Sequence, residues 1–375
     1  MSIFKRPKHS HMKQPMFFGE RVAIARYDEM KYPSIDKQTD QMLSFFWRPQ
    51  EIDLSKDKLD FDRLTDNEQH IFTANLKRQI LLDSIQGRGI TEALTPITSL
   101  PEIEVATVFW EAMETIHSRS YTHIIRNVYA NPGEVFDNIY NIPEIMETGT
   151  EIAVYYDEFI KMCKINDLIK MGAHVSFPGF GAATSTDFER KRALWMLLNC
   201  INALEGIRFY VSFACSWAFA ELKKMEGNAK IIKLIARDEN VHLAITTNLL
   251  KTLPADDPDF VKIARDCESE VRHMIQTVVD QEIAWAEYLF ADGSMIGLNA
   301  NLLKEYVYWI ASKRMKALGI KPTFTVARAN PLPWTESWIG GGAVQVAPQE
   351  SEKSDYLEGG GMVKDGLDSL KGFEL

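Results

Sequence analysis

The stretches ETIHSRSY (114–121) and IARDENVH (235–242) decide the reading of this chain. Each holds a Glu-x-x-His pair, Glu114 with His117 and Glu239 with His242, inside a long run of helical periodicity. Positions i and i+3 share one face of a helix, so both side chains of a pair can reach the same ion. One such pair is a common accident. Two pairs in separate helices, with Asp83 and Glu205 on two others, make a ligand set for two metal ions in a helical bundle.

The energetics favour a metal site over a structural cluster. Four carboxylates converging in an apolar bundle repel one another, and each loses several kcal/mol of hydration even after relaxation. Two multivalent cations supply the missing positive charge, and hard oxygen ligands with one imidazole per ion suit iron or manganese. A third pair, Glu270 with His273, lies in the charged stretch RDCESEVRHMI (265–275) and reads as a solvated face. His123 and His174 lack acidic partners and read as ordinary surface or core histidines. Tyr121, at i+7 from Glu114, falls within about 60° of the first pair, so its phenol projects beside whatever His117 binds. A core tyrosine with a bonded hydroxyl fits that spacing equally well, and spacing alone leaves its role open. Glu205, Phe209 and Phe213 form a stripe at i, i+4 and i+8, and Ile235 stands one turn before Glu239.

The rest of the chain reads as almost all helix. Thr65 and Glu68 form a capping box for a helix running to about Gly87. Ser99, Pro101 and Glu102 open a second, to about Asn127, and Pro143 opens a third, to about Met171. The connector GAHVSFPGFGAATS (172–185) has room for a short hairpin. A fourth helix is expected from about Asp187 to Leu222, a fifth from Gly227 to Leu250, a sixth from Pro258 to Phe290 and a seventh from Leu298 to Leu318. Residues 1–320 are therefore expected as one helical domain. Residues 321–375, rich in proline and then in glycine and polar residues, are expected as an extended, largely flexible tail.

Bulk properties exclude several classes. At 46% hydrophobic and 25% charged, the 375 residues have the composition of a soluble globular protein. A net charge of −10 argues against nucleic-acid binding. The N-terminus has no apolar core, so it is not a signal peptide. The long apolar run 193–222 carries Glu205 and Arg208 near its middle, each costing about 2.5–3.5 kcal/mol at a bilayer centre, and reads as a buried helix rather than a membrane span. Cys163, Cys200, Cys215 and Cys267 form no Cys-x-x-Cys pair and read as reduced thiols of a cytoplasmic protein.

The chain resembles the small, radical-generating subunit of class Ia ribonucleotide reductase. The resemblance runs from PMFFG at Pro15 to Leu375. Its carriers are LSFFWRP (43–49), LLDSIQGR (81–88), ETIHSRSYTHIIRN (114–127), NALEGIRFYVSFACS (202–216), GNAKIIKLIARDENVHL (227–243), DGSMIGLN (292–299) and VQVAPQE (344–350). It implies a ferritin-like bundle with extra helices, holding two iron ions per chain, with manganese as the alternative metal. Asp83, Glu114 and His117 would hold one iron and Glu205, Glu239 and His242 the other, with Glu114 and Glu239 free to bridge. Ferrous iron and O2 would convert Tyr121 to a radical, with Asp83 or a metal-bound water taking its proton. Phe209, Phe213 and Ile235 would keep that radical dry.

By the same resemblance, the radical equivalent passes through His117, Asp238, Trp47 and Tyr356 to a large subunit, which binds and reduces the nucleotide. The terminal LKGFEL would dock on that subunit, and the protein would be a homodimer. Glu111 departs from the pattern, standing where a small residue is expected. The chain itself has no phosphate-cradling GxxxxGK[ST] loop. Two rival readings are a di-iron oxidase acting alone, which needs an open channel to the metals, and an iron-storage bundle, which needs neither Trp47 nor Asp238 nor Tyr356.

Overall fold

The computed structural model describes residues 4–177, 181–182 and 186–339. Tyr356, LKGFEL and the remainder of the expected tail beyond Ile339 lie outside the described residues. The fold is all-α, as expected. In chain order the helices are α1 (Pro33–Ser44), α2 (Ser55–Phe61), α3 (Asp66–Leu94), α4 (Pro101–Val128), α5 (Pro132–Asp137) and α6 (Pro143–Lys170). They continue as α7 (Asp187–Ala203), α8 (Tyr210–Glu221), α9 (Glu226–Asp256), α10 (Asp259–Asp266), α11 (Glu268–Leu289), α12 (Ala300–Ala317) and α13 (Thr335–Ile339). The connector before α7 does hold a two-stranded antiparallel hairpin, Ser176–Phe177 against Gly181–Ala182. α3 packs along α4 and α8 along α9, and contacts of α3 with α8 and of α4 with α9 close a four-sided bundle.

Local chemistry sets the helix ends. Thr65 and Glu68 form the expected capping box, with the Thr65 N–H donating to the Glu68 carboxylate at 3.0 Å. Thr186 and Glu189 build a second box at α7. At α4 the cap is Leu100 with Pro101 at the first turn, while the Ser99 hydroxyl accepts the N–H of Gly19 instead.

Helices α1, α2, α5 and α13 were not expected, α9 runs six residues past Leu250 to Asp256, and three further elements differ from expectation for a tertiary reason. α3 continues past Gly87 to Leu94. The glycines there allow close approach: a Cβ on Gly89 would lie 2.5 Å from the Tyr156 ring, and one on Gly87 3.2 Å from the Glu114 Cβ. The expected fourth helix is divided, because Leu204–Arg208 winds as a π-turn between α7 and α8. Arg314 of α12 fills the space above Gly206 and donates to the Gly206 carbonyl at 3.1 Å, holding that turn open. The expected sixth helix bends at Cys267, so that α10 lies on α7 and α9 while α11 turns to α12. The described part of the expected tail, residues 321–339, lies against the body. Thr335 is buried, the Trp338 ring stacks 6.2 Å from Trp217, and its indole N–H donates to Glu221 at 2.9 Å. No described helix is long and apolar enough to cross a membrane.

The start of α9, which carries the second Glu-x-x-His pair, is held from outside. Its first residue is preceded by Met225 in the left-handed region (φ 52°), with no side-chain cap. Asp57 of α2 accepts the N–H groups of Gly227 and Asn228 at 3.0 and 2.6 Å, and Asp60 accepts that of Met225 at 3.0 Å. Gly227 is required there, since a Cβ would sit 2.5 Å from the Asp53 carbonyl. Burial pushes the Asp57 carboxyl up to about 6 against the pull of those two N–H groups. Replacing Asp57 with Ala leaves two buried donors unpaired and should cost about 2 kcal/mol of stability. Asp57→Asn, which keeps one acceptor, should cost less. Denaturant unfolding of the metal-free chain, followed by circular dichroism, measures both. A cost below about 0.5 kcal/mol for the alanine variant would mean that α9 does not rely on this seat.

Candidate metal centre

The four helical stretches bring all six expected side chains together. Asp83 comes from α3, Glu114 and His117 from α4, Glu205 from the π-turn, and Glu239 and His242 from α9, and every one of them is fully buried. They form two overlapping quartets, Asp83/Glu114/His117/Glu239 and Glu114/Glu205/Glu239/His242. Within each quartet the ligand atoms lie within 4.8 Å of one another. Glu114 and Glu239 belong to both. His117 Nδ1 lies 3.4 Å from Glu114 and 3.1 Å from Glu239, and His242 Nδ1 lies 3.2 and 3.3 Å from the same two residues.

These groups face one another without bonding one another well. Both oxygens of Asp83 and of Glu114, one oxygen each of Glu205 and Glu239, and Nδ1 of His117 have no aligned hydrogen-bond partner. Native interiors rarely leave so many polar atoms orphaned in one place. A carboxylate-rich donor set with one imidazole in each half fits a pair of hard cations.

The electrostatics describe what the cluster does without cations. Burial, followed by Glu114 and Glu239, raises Asp83 well above the usual carboxyl range. Burial, followed by Glu239 and Glu114, does the same to Glu205. Glu114 is pushed up by burial but held down at about 2 by the contacts of His117 and His242. Against its burial, His117 is raised well above the ordinary imidazole value by Asp238, Glu114 and Glu239, and Glu114 and Glu239 raise His242 to about 9. Protons thus take the place of part of the missing positive charge, and metal ions must displace them.

The surrounding side chains hold the ligands in position. The Tyr156 hydroxyl donates to Gln86 at 2.8 Å, and the Gln86 amide donates to Glu205 at 2.6 Å. Trp110 stacks on the His242 ring at 5.3 Å and lies beside Glu205. The Trp47 indole N–H donates to Asp238 Oδ2 at 2.8 Å, and His117 Nε2 lies 3.3 Å from that same oxygen. The other Asp238 oxygen accepts from Arg237 at 3.1 Å, and Arg237 in turn donates to the Phe45 carbonyl at 2.7 Å. Gln86, Trp110, Tyr156 and Arg237 were not picked out by the sequence reading. Gln86 at i+3 from Asp83 and Trp110 at i−4 from Glu114 share their ligands' faces, so spacing could have found them; Tyr156 had no local signal.

Tyr121 is fully buried, and burial followed by the adjacent Asp83 carboxyl raises its phenol well above the ordinary value. Phe209, Phe213 and Ile235 are fully buried as well, with the two phenylalanine rings stacked at 5.5 Å. Glu270 pairs with Arg192 at the surface, in keeping with the solvated reading of that third pair. Glu111 accepts from the Thr91 hydroxyl.

Residues 25–331 match the family described as ribonucleotide reductase, small chain. The chain is 48% identical to the ribonucleoside-diphosphate reductase 1 subunit beta of Escherichia coli O157:H7, covering 100% of this chain and 99% of that protein. It is 41% identical to the ribonucleoside-diphosphate reductase subunit beta of Enterobacteria phage T4, over 92% of each. Among solved structures, the ribonucleotide reductase R2 subunit from Clostridium botulinum matches with a TM-score of 0.78 and 25% identity, covering 90% of this chain and 98% of that one.

Because burial, with Glu114 and Glu239 beside it, raises Asp83 well above the usual carboxyl range, a neutral amide is tolerated there, and Asp83→Asn should change metal-free stability by less than about 1 kcal/mol. It should nevertheless remove a ligand from one quartet only. Metal analysis after saturation with ferrous iron under argon is expected to fall from about two ions per chain to about one. Two tightly held ions in the variant would remove Asp83 from the ligand set.

Proposed function

The chain belongs to the ribonucleotide reductase small-chain family, and from that membership we propose that its buried centre generates a tyrosyl radical at Tyr121 for use by a large subunit. The protein is the beta subunit of a ribonucleoside-diphosphate reductase, an oxidoreductase that works with a large subunit to convert ribonucleotides to deoxyribonucleotides. The observation that carries the mechanistic reading is the unbroken buried line from His117 through Asp238 to Trp47.

Asp83, Glu114 and His117 would hold one iron, and Glu205, Glu239 and His242 the other, with Glu114 and Glu239 shared. Bound ferrous iron with O2 supplies the one-electron oxidation of a phenol, and manganese is the alternative metal for the same oxygen-rich set. Loss of an electron makes a phenol strongly acidic, so its proton needs an acceptor at once. Asp83 stands beside the Tyr121 hydroxyl and fills that role. Full burial of Tyr121 keeps bulk water and reductants from it. We assign Phe209, Phe213 and Ile235 to its apolar shell, a role their own burial supports.

Asp238 accepts the Trp47 indole proton and faces His117 with the same oxygen, so a hole and a proton can move together along one hydrogen-bonded line. Arg237 pins the other Asp238 oxygen and fixes the carboxylate's orientation. Beyond Trp47 the proposed carrier is Tyr356, within the segment 321–375. That segment, through its terminal LKGFEL, is proposed to dock on the large subunit. Residues 1–320 would form the metal-bearing domain, assembled as a homodimer in the cytoplasm, a setting that suits the four free cysteines. The stand-alone oxidase reading gains one observation, a cleft between α3 and α4 that reaches Asp83 and Glu114. Its polar, arginine-bearing lining suits water and ions rather than an organic substrate.

Tyr121→Phe should abolish the sharp absorption and paramagnetic signal that follow addition of ferrous iron and O2, while two metal ions stay bound. A signal that survives this change would place the radical on another residue. Removing the residues after Gly340 should leave radical formation intact and reduce turnover with a large subunit to background. Turnover that persists in the truncated chain would exclude Tyr356 from the route.

A further inference from the structure

The centre is fully buried, so ions that occupy it must reach it by some path. A cleft of about 520 Å3 lies between α3 and α4, and the buried Asp83 and Glu114 line it together with exposed residues such as Arg88 and Arg126. The Asp83 and Glu114 carboxylate oxygens are buried and have no hydrogen-bond partner. Glu111 stands on the α4 wall, half-buried, one turn before Glu114. Facing Glu114, Gly87 contributes no side chain, and a Cβ there would come within 3.2 Å of the Glu114 Cβ.

We propose that Glu111 is a transit ligand for divalent cations: it takes an incoming ion from water in this cleft and passes it to Asp83 and Glu114. The proposal rests on the dimetal reading of the centre. Residues at i and i+3 hold their Cβ atoms about 5–6 Å apart, so an ion on the Glu111 carboxylate is within one ligand exchange of Glu114. Hard cations exchange water for carboxylate oxygen without any change in ligand type. The Thr91 hydroxyl, donating to one Glu111 oxygen, orients the carboxylate and leaves its other oxygen for the ion.

The exposed Arg88, Arg119 and Arg126 also line the cleft. Their charge is screened over about 8 Å at physiological ionic strength, so it does not bar a small ion from the mouth. From Glu111 an ion moves inward by exchanging ligands with the unpartnered Glu114 and Asp83 oxygens and displacing the protons held in the centre. This arrangement suits passage rather than storage.

The test uses the full metal-free chain, mixed anaerobically with excess Co(II) in a stopped-flow instrument and followed by the visible absorption of bound cobalt. Glu111→Gln, whose amide oxygen still accepts from Thr91, should load about tenfold more slowly. Its final content should stay at the wild-type two ions per chain, and its helical circular dichroism should be unchanged. Glu111→Asp, which keeps the charge, should recover most of the rate. Wild-type loading kinetics in the Gln variant would overturn the proposal. A lower final stoichiometry or a loss of helical signal would also overturn it, by making Glu111 a resident ligand or a fold determinant. Failure of the wild-type chain to bind cobalt would instead refute the dimetal reading itself.

Discussion

Four carboxylates share one dry space in this protein, and the rest of the fold answers to that constraint. Asp83, Glu114, Glu205 and Glu239 come from four helical stretches and are fully buried, with ligand atoms within 4.8 Å of one another in each quartet. Their mutual repulsion and lost hydration would push short or loosely packed helices apart. The stretches that carry them are long, and their inner faces are packed with large apolar side chains, so the hydrophobic contribution outweighs the local electrostatic cost. His117 and His242, both with raised pKa, sit between the shared glutamates and carry part of the compensating charge until cations replace it.

Positioning falls to residues that bear no ligand atom. Gln86 and Tyr156 hold Glu205 from one side, and Trp110 packs between Glu205 and His242 on the other. Arg314 reaches from α12 to secure the π-turn that presents Glu205. Asp57 and Asp60, on a helix of only seven residues, seat the start of α9. A buried Arg78–Glu282 pair, with Arg78 over the Trp285 ring at 4.7 Å, ties α3 to α11 behind the cluster. The ligands are thereby largely placed before any ion arrives, which limits the reorganisation that binding requires.

Under the proposed function the same centre would communicate with the outside by two different kinds of path. One is a dry, hydrogen-bonded line of side chains through Asp238 to Trp47, suited to charge that moves without mass. The other is the proposed entry cleft past Glu111, with a polar lining suited to ions that carry their hydration. Keeping them apart reconciles two needs that conflict in a single channel. The radical proposed at Tyr121 would have to be kept from solvent, yet a metal ion must come from it.

The convergence of these six side chains was legible in the sequence because helical periodicity converts spacing into facing. Glu114 with His117 and Glu239 with His242 needed only the 3.6-residue repeat, and desolvation energetics then implied cations. The same periodicity misjudged Gly87, where it read a helix end, because a glycine that stops a helix and one that admits Tyr156 or Glu114 look alike in one dimension. It also passed over the π-turn at Leu204–Arg208, whose Gly206 carbonyl accepts from an arginine more than a hundred positions away, and Tyr156, which meets Gln86 only through the fold. Local spacing fixes which groups share a helix face, since that depends on backbone geometry alone. Which faces meet, which glycine is a contact and which polar atoms are left for a metal depend on partners distant in sequence, and only the packed tertiary structure decides them.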